Sequence, residues 1–308
     1  MKKTEFFFPS ANGVNDIHAV RFEPDETPKA IVQIVHGMTE YADRYSPFAS
    51  FLAEHGFLVV GDDHLGHGLS VKDENELGFF GQPDGNEYLL DDLHELQKET
   101  QKEFPGIPYF FLGHSMGSFL TRQYISLYGE SLAGAVVMGT GFQPGVVLFA
   151  GKTVCRVIAL FKGWHYRSKF VDSLSVGAYN KRFQPIRTKS DWLSPNEQSV
   201  DEYIKDPLCG FLFTVNGYHQ MFRSIGYADS LSYIRSTPVS LPVLLISGKD
   251  DPVGNFGKGV ERVKKLYQKV GTKDLKELLY PGDRHEILNG MNRKQVFSDL
   301  LMWFEERI

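Results

Sequence analysis

Cysteine is nearly absent: Cys155 and Cys209 are the only two in 308 residues. They allow at most one disulfide, so a disulfide-stapled fold is excluded and a reducing compartment is expected. Long hydrophobic runs are missing too. None approaches the roughly 18 residues that read as a membrane-spanning helix. The start, MKKTEFFFP, carries three consecutive apolar residues, too few for a signal-peptide core. A cytoplasmic protein is the expectation from these absences. Excess positive charge is also lacking: the net charge of −5 argues against a general nucleic-acid binder. Internal repeats and low-complexity tracts do not occur. What remains is an ordinary globular composition, 42% hydrophobic and 23% charged. The length suits one large α/β domain or two small ones.

Along the chain, short apolar runs alternate with helical spacing. Residues 5–8 and 17–22 read as strands joined by the turn Ser10 to Gly13. The run AIVQIV at 30–35 reads as a strand buried on both faces, followed by a helix over 45–55 that stops at Gly56. Strands follow at 57–60, 109–112 and 133–138, with helices over 88–104 and 118–128. From about Gly141 the alternation lapses. It resumes with a strand at 242–246, a helix at 257–269, a strand at 275–280 and a closing helix at 294–306. This order predicts an α/β fold with a doubly wound, mostly parallel sheet. Residues 1–143 and 238–308 form its two parts, and 144–237 read as a helical cap inserted over the carboxyl ends of the strands. An independent second domain is disfavoured, because the sheet is completed from both sides of the insertion.

The most informative stretch is Tyr109 to Gly117, YFFLGHSMG. A strand runs into Gly113-His-Ser-Met-Gly117 and a helix follows, the context of a nucleophile elbow. The turn lifts the Ser115 hydroxyl above the sheet edge, and the helix start aims N–H groups and a positive dipole end at the same spot. Serine needs a base, and the base needs an orienting carboxylate. In the order Ser, Asp, His, the ends of the last two strands supply Asp250 or Asp251 within GKDDPV, then His285 within DRHE. Spacing alone does not separate Asp250 from Asp251. Asp283 shares the loop of His285 and reads as a turn residue. An oxyanion needs two backbone donors. The N–H of Met116, after the nucleophile, is one. The N–H of Met38, in the loop after the strand at 30–35, is the other, with Gly37 allowing close backbone approach. His64 and His67 beside Asp62 and Asp63 invite a metal reading. No third histidine follows at ligand spacing, so they are expected to brace a turn, and no metal is expected.

These residues resemble a known family. His36 to Tyr45 (HGMTEYADRY), Asp63 to Ser70 (DHLGHGLS), GHSMG at 113–117, GKDDPV at 248–253 and DRHE at 283–286 look like the monoacylglycerol lipase and lysophospholipase branch of the α/β-hydrolases, often labelled serine aminopeptidase-like. The likeness spans nearly the whole chain and is weakest in the cap. It implies an eight-stranded sheet, a mobile helical cap and cofactor-free hydrolysis of carboxylic esters. It places the acid on Asp251 and the oxyanion donors on Met38 and Met116. Glu40, Arg44 and the 63–70 loop match family motifs that brace the site.

The cap itself is aromatic-rich and basic. Residues 145–237 hold twelve Lys and Arg against seven Asp and Glu. Val146 to Phe161 is mostly apolar, with Lys152 and Arg156 four residues apart, and Phe211, Phe213, Tyr218, Met221 and Phe222 add bulk. Packing of the cap onto the body is one account of these residues; an apolar tunnel for an acyl chain, with transient membrane-surface contact, is the other. Gly37, His114, Phe211 and His219 are candidates for the substrate pocket, with a packed histidine the favoured reading of His219. The leading expectation is therefore a serine ester hydrolase acting on lipid-like esters through an acyl-enzyme on Ser115. An aminopeptidase is the enzymatic alternative. It needs an acidic cluster for the substrate amine, for which Asp191, Glu197, Asp201, Glu202 and Asp206 are the candidates. A non-catalytic ligand-binding relative is the other alternative.

Overall fold

The computed structural model describes residues 1–308. Eight strands form one open sheet in the order β1-β2-β4-β3-β5-β6-β7-β8. They are β1 (Lys2–Pro9), β2 (Asp16–Glu23), β3 (Ala30–Val35), β4 (Phe57–Asp62), β5 (Tyr109–His114), β6 (Gly134–Met138), β7 (Val243–Gly248) and β8 (Leu275–Tyr280). β1, β2 and β4 pair antiparallel; every pair from β4 through β3 to β8 is parallel. The expected eight-stranded, mostly parallel sheet is thus present. β4, β5 and β7 run two residues beyond their apolar runs. Gly61, His114 and Gly248 still pair with the neighbouring strand, so the ladder carries small or polar residues out to the sheet edge.

Strands β3 to β7 read as nearly continuous apolar runs because both faces are covered. On one face Val32, Ile34, Phe110 and Leu112 pack with Leu52 of α1 (Ser46–Glu54) and with Trp303 of a helix spanning Arg293–Glu305. On the other, Ile31, Val35 and Phe111 pack with Leu89 and Leu93 of α2 (Gly85–Glu103) and Leu120 of α3 (Met116–Tyr128). The one polar residue inside β3, Gln33, is fully buried and satisfied: it donates to Leu93 O at 3.0 Å and accepts from Tyr109 OH at 2.6 Å.

Between β6 and β7 the chain adds no strand. It forms α4 (Gly145–Lys162), α5 (Lys169–Ser175), α6 (Glu197–Lys205), α7 (Val215–Ala228) and the short α8 (Leu231–Ile234). After β7 come α9 (Lys258–Val270) and, after β8, α10, the Arg293–Glu305 helix already met. Arg122 of α3 ties the inserted helices to the sheet. It is fully buried and donates to Gly141 O at 3.1 Å, Ala228 O at 2.7 Å and Asp229 Oδ1 at 2.8 Å. Removing the counter-charge would leave a buried guanidinium uncompensated. Asp229→Ala is therefore expected to lower unfolding free energy by about 3–5 kcal/mol in urea titrations. A loss below about 1 kcal/mol would mean that the backbone carbonyls alone carry Arg122.

Candidate active site

The turn from β5 into α3 is built by exclusion. A Cβ at Gly117 would lie 2.0 Å from Val35 O, and one at Gly113 would lie 2.3 Å from Gly117 O. Only glycine permits this approach. Ser115 between them has φ 54° and ψ −118°, a conformation that a non-glycine residue adopts only under constraint. Its N–H is anchored to Met138 O at 3.0 Å. The strained turn read from the sequence is present, at the N-terminus of a 13-residue helix.

Asp251 meets His285, which lines the same cavity as Ser115. His285 Nδ1–H donates to Asp251 Oδ2 at 3.0 Å. The carboxylate, fully buried, also accepts from Ser247 Oγ at 3.1 Å and from Val253 N–H at 2.9 Å. Asp250 is exposed and points none of its oxygens at the ring. Asp283 is buried and its Oδ1 accepts the Met291 N–H at 3.1 Å, the turn role expected of it. The ring of Trp192 packs 5.1 Å from that of His285. With Nδ1 donating to a carboxylate, Nε2 of the neutral ring is an acceptor. It is buried and has no partner. Ser115 Oγ and His285 Nε2 do not hydrogen-bond to each other, although both residues line one cavity. Such bonds are commonly long before substrate arrives.

Met38 and Met116 also line that cavity. Neither N–H donates to any group of the protein: Met116 opens a helix, where no intrahelical acceptor exists, and Met38 lies in a loop. The Met38 loop is held from three sides. Thr39, at φ 54°, donates its N–H to His67 Nε2 at 3.3 Å. Its Oγ1 lies 2.7 Å from Tyr203 OH of α6, and its carbonyl accepts Gly210 N–H at 3.0 Å. Gly37 N–H donates to Glu40 Oε1 at 2.6 Å.

Glu40 is the hub of a buried charge network. Its Oε1 also accepts from Tyr45 OH at 2.9 Å and from His114 Nδ1 at 3.1 Å, and Oε2 from Arg44 at 2.6 Å. Arg44 clamps Glu286 with two bonds of 2.9 and 3.0 Å. Burial alone would raise the Glu40 pKa, but the His114 hydrogen bond and the charges of Arg44 and His114 hold it well below the carboxylate range. Burial would lower that of His114, yet Glu40's hydrogen bond and charge raise it. The other ring nitrogen of His114 lies 3.3 Å from the His285 carbonyl, a second acceptor that favours the imidazolium. The histidines behind are braces. His64 Nδ1 bonds Asp62 at 2.8 Å, its Nε2 lies 3.2 Å from His36 O, and its ring stacks on His36 at 3.8 Å. No group of three His, Cys, Asp or Glu has metal-holding geometry.

The cavity over Ser115 measures about 790 Å³. α4 contributes Val147, Leu148 and Val154; α5 Val171 and Leu174; α7 Met221, Phe222 and Ile225. Of the pocket residues expected from sequence, His114 and Phe211 line it. Gly37 does not, but sits directly behind Ser115, where a Cβ would lie 3.0 Å from the serine's own. His219 is a correction: α7 turns it to the opposite face, into a second cavity. Tyr179, Trp192, Leu193 and Tyr203 line the first cavity and were not anticipated. For Trp192 and Tyr203 the only signal was an aromatic residue beside acidic ones; Tyr179, just before Lys181 and Arg182, and Leu193 carried none. None of the five acidic candidates for an amine site lines the cavity. Asp191 caps the 187–190 turn, Asp201 pairs with Arg187, and Asp206 accepts Tyr41 OH.

A family model described as serine aminopeptidase, S33, matches residues 26–292. The monoacylglycerol lipase of Mycolicibacterium smegmatis is 26% identical over 305 residues, covering 98% of this chain and 96% of that one. The human monoglyceride lipase is 28% identical over 301 residues, covering 93% and 86%. Among solved structures, a thermostable carboxyl esterase from Bacillus coagulans in complex with glycerol superposes with a TM-score of 0.93 at 29% identity, covering 100% and 99%.

Glu40→Gln removes one buried charge of the network. At pH 7 it is expected to cost about 3 kcal/mol of unfolding free energy. The folded pKa of Glu40 is depressed, so the carboxylate's contribution is complete above its unfolded value of about 4.3 and is lost as pH falls toward the folded value. The gap between the native protein and the variant should therefore shrink on acidification below that point, measured by urea denaturation across pH. A constant gap would place the destabilisation in packing.

Proposed function

The chain belongs to the serine aminopeptidase S33 family, and from that premise we propose that it is a carboxylic ester hydrolase acting on monoacylglycerol- or lysophospholipid-type lipids through an acyl-enzyme on Ser115. The observation that carries the reading is the Ser115 turn at positive φ, opening into an apolar cavity beside an imidazole fixed by buried Asp251. His285 Nε2 takes the serine proton during attack on the ester carbonyl and returns it to the leaving alcohol; Asp251 holds the tautomer and supports the imidazolium. The free N–H groups of Met38 and Met116 take the oxyanion. Water, activated by His285, then releases the fatty acid. No cofactor enters.

Residues 144–237 act as the cap, and the acyl chain lies along α4, α5 and α7. Exposed Val146, Phe149, Leu160 and Phe161 on α4 support transient contact with a lipid surface. An aminopeptidase is disfavoured, because the acidic side chains that do reach the cavity are engaged. Glu40 and Glu286 share Arg44, and Asp172 accepts Tyr218 OH at 2.6 Å.

Ser115→Ala should lower kcat by about 10⁴-fold or more with an unchanged melting curve. A fluorophosphonate should label the native protein and not this variant; an unlabelled native protein would favour a ligand-binding relative. Asp251→Asn should cost about 10⁴-fold in kcat, as loss of the orienting acid does elsewhere, and Asp250→Asn almost nothing. Equal effects would reopen the assignment of the acid. On esters of graded length, kcat/KM should rise by up to about tenfold per two methylenes, the transfer free energy of the added carbons, to a medium-chain plateau. A flat or falling profile from acetate to decanoate would remove the acyl cavity.

A further inference from the structure

α4 and α7 have a second face. Val147 and Val154 of α4, with Met221 and Phe222 of α7, look into the cavity over Ser115, and Leu148 borders both cavities. On the opposite side, Lys152, Arg156, His219 and Arg223 line a separate cavity of about 780 Å³. Its remaining wall includes Trp164, whose ring stands edge-on to His219 at 5.3 Å, and Gln220.

Two facts resist a purely structural account. His219 is 6% exposed and neither ring nitrogen has a hydrogen-bond partner. Buried polar groups are nearly always satisfied, so a lone imidazole with two idle nitrogens calls for a partner from outside. The second is the charge. Of the three cations, only Arg223 has a counter-ion, Glu87 at 2.5 Å; Lys152 and Arg156 make no ion pair. All three cations line the same cavity as His219, and burial and then the fields of Arg156, Arg223 and Lys152 push its pKa down to about 4.

We propose that this cavity binds a phosphate group, with Lys152 and Arg156 donating from α4 and His219 and Arg223 from α7. Donors arriving from two helices suit a tetrahedral anion with several acceptor oxygens better than a planar carboxylate. The bound anion would link the two helices that wall the Ser115 cavity. The site stands apart from the ester reading and does not depend on it. The phosphate has two sources, a soluble phosphorylated metabolite or the headgroup of an anionic lipid.

Calorimetric titration with inorganic phosphate, at constant ionic strength made up with chloride, tests the site. The native protein should show saturable one-site binding. Arg156→Gln, an exposed position that leaves folding intact, should weaken it about tenfold, the loss of one charge-assisted hydrogen bond. Lys152→Gln should act alike, and His219→Gln should weaken it where its melting curve shows it folded. Absence of saturable binding, or native-like binding in both the Arg156 and Lys152 variants, would overturn the proposal. Flotation on phosphatidylglycerol against phosphatidylcholine vesicles separates the sources. Phosphate-competed flotation that Arg156→Gln abolishes assigns a lipid headgroup; phosphate binding without flotation assigns a soluble ligand. Flotation unaffected by both variants, with no phosphate binding, overturns the site.

Discussion

Position 117 has no room for a side chain. The carbonyl oxygens of Val35 and His36 would stand 2.0 and 2.5 Å from any Cβ there, so the start of α3 presses directly on the end of β3. Much of the site follows from that contact. It sets Ser115 beside Gly37, and it brings two turns from adjacent strands close enough that the free N–H groups of Met38 and Met116 border the same space. Holding Ser115 and Thr39 at positive φ costs about 1–3 kcal/mol each. The apolar packing on both sides of β3 and β5 is large enough to impose it, since each fully buried large side chain contributes about 1.5–3 kcal/mol.

Electrostatics then locks three loops that the sheet alone would leave adjustable. Glu40 and Arg44 follow β3, His114 ends β5, and Glu286 follows β8 beside His285. With His114 protonated, two carboxylates, a guanidinium and an imidazolium sum to zero, which is the condition under which so many charges tolerate burial. A neutral His114 would leave the cluster with one uncompensated negative charge. The raised pKa of His114 and its pair of acceptors agree with the charged form. The network touches the backbone of His285 through the 3.3 Å contact with its carbonyl, so the position of that ring is coupled to the loop that carries Met38.

The middle of the sheet was legible because β3 to β7 are mostly apolar runs, and burial on both faces demands that pattern. AIVQIV and LKELLY gave their strands to the residue; YFFL gave its strand short by two, since Gly113 and His114 stay in the ladder without being apolar. The elbow and its partners were legible because each follows a strand end in sequence. The inserted helices were not. Their composition announced an apolar and basic segment, but which side of α4 and α7 each residue takes depends on how two helices pack, and 3.6-residue spacing on a helix that is apolar on one side and basic on the other fits either orientation. The pocket alternative for His219 fails for that reason. Tyr203 and Trp192 were missed because their neighbours in sequence are acidic, and only the fold keeps those neighbours out of the cavity that the two rings line.

One atom shows how structure and proposed chemistry meet. His285 Nε2 is buried and unpartnered, a state that costs about 1–3 kcal/mol. It persists because the ring cannot turn to relieve it: Asp251 holds the opposite nitrogen and Trp192 packs against the ring. Satisfying Nε2 with a permanent protein donor would stabilise the fold and occupy the lone pair that must take the serine proton. Under the proposed reading, the deficit is recovered only when a proton arrives from Ser115, at the moment when Met38 and Met116, equally idle in the free protein, acquire an oxyanion. Interactions that are absent in the ground state and made during reaction lower the barrier, whereas interactions already made do not. The idle acceptor and the two idle donors are thus the same device, bordering one cavity with Ser115.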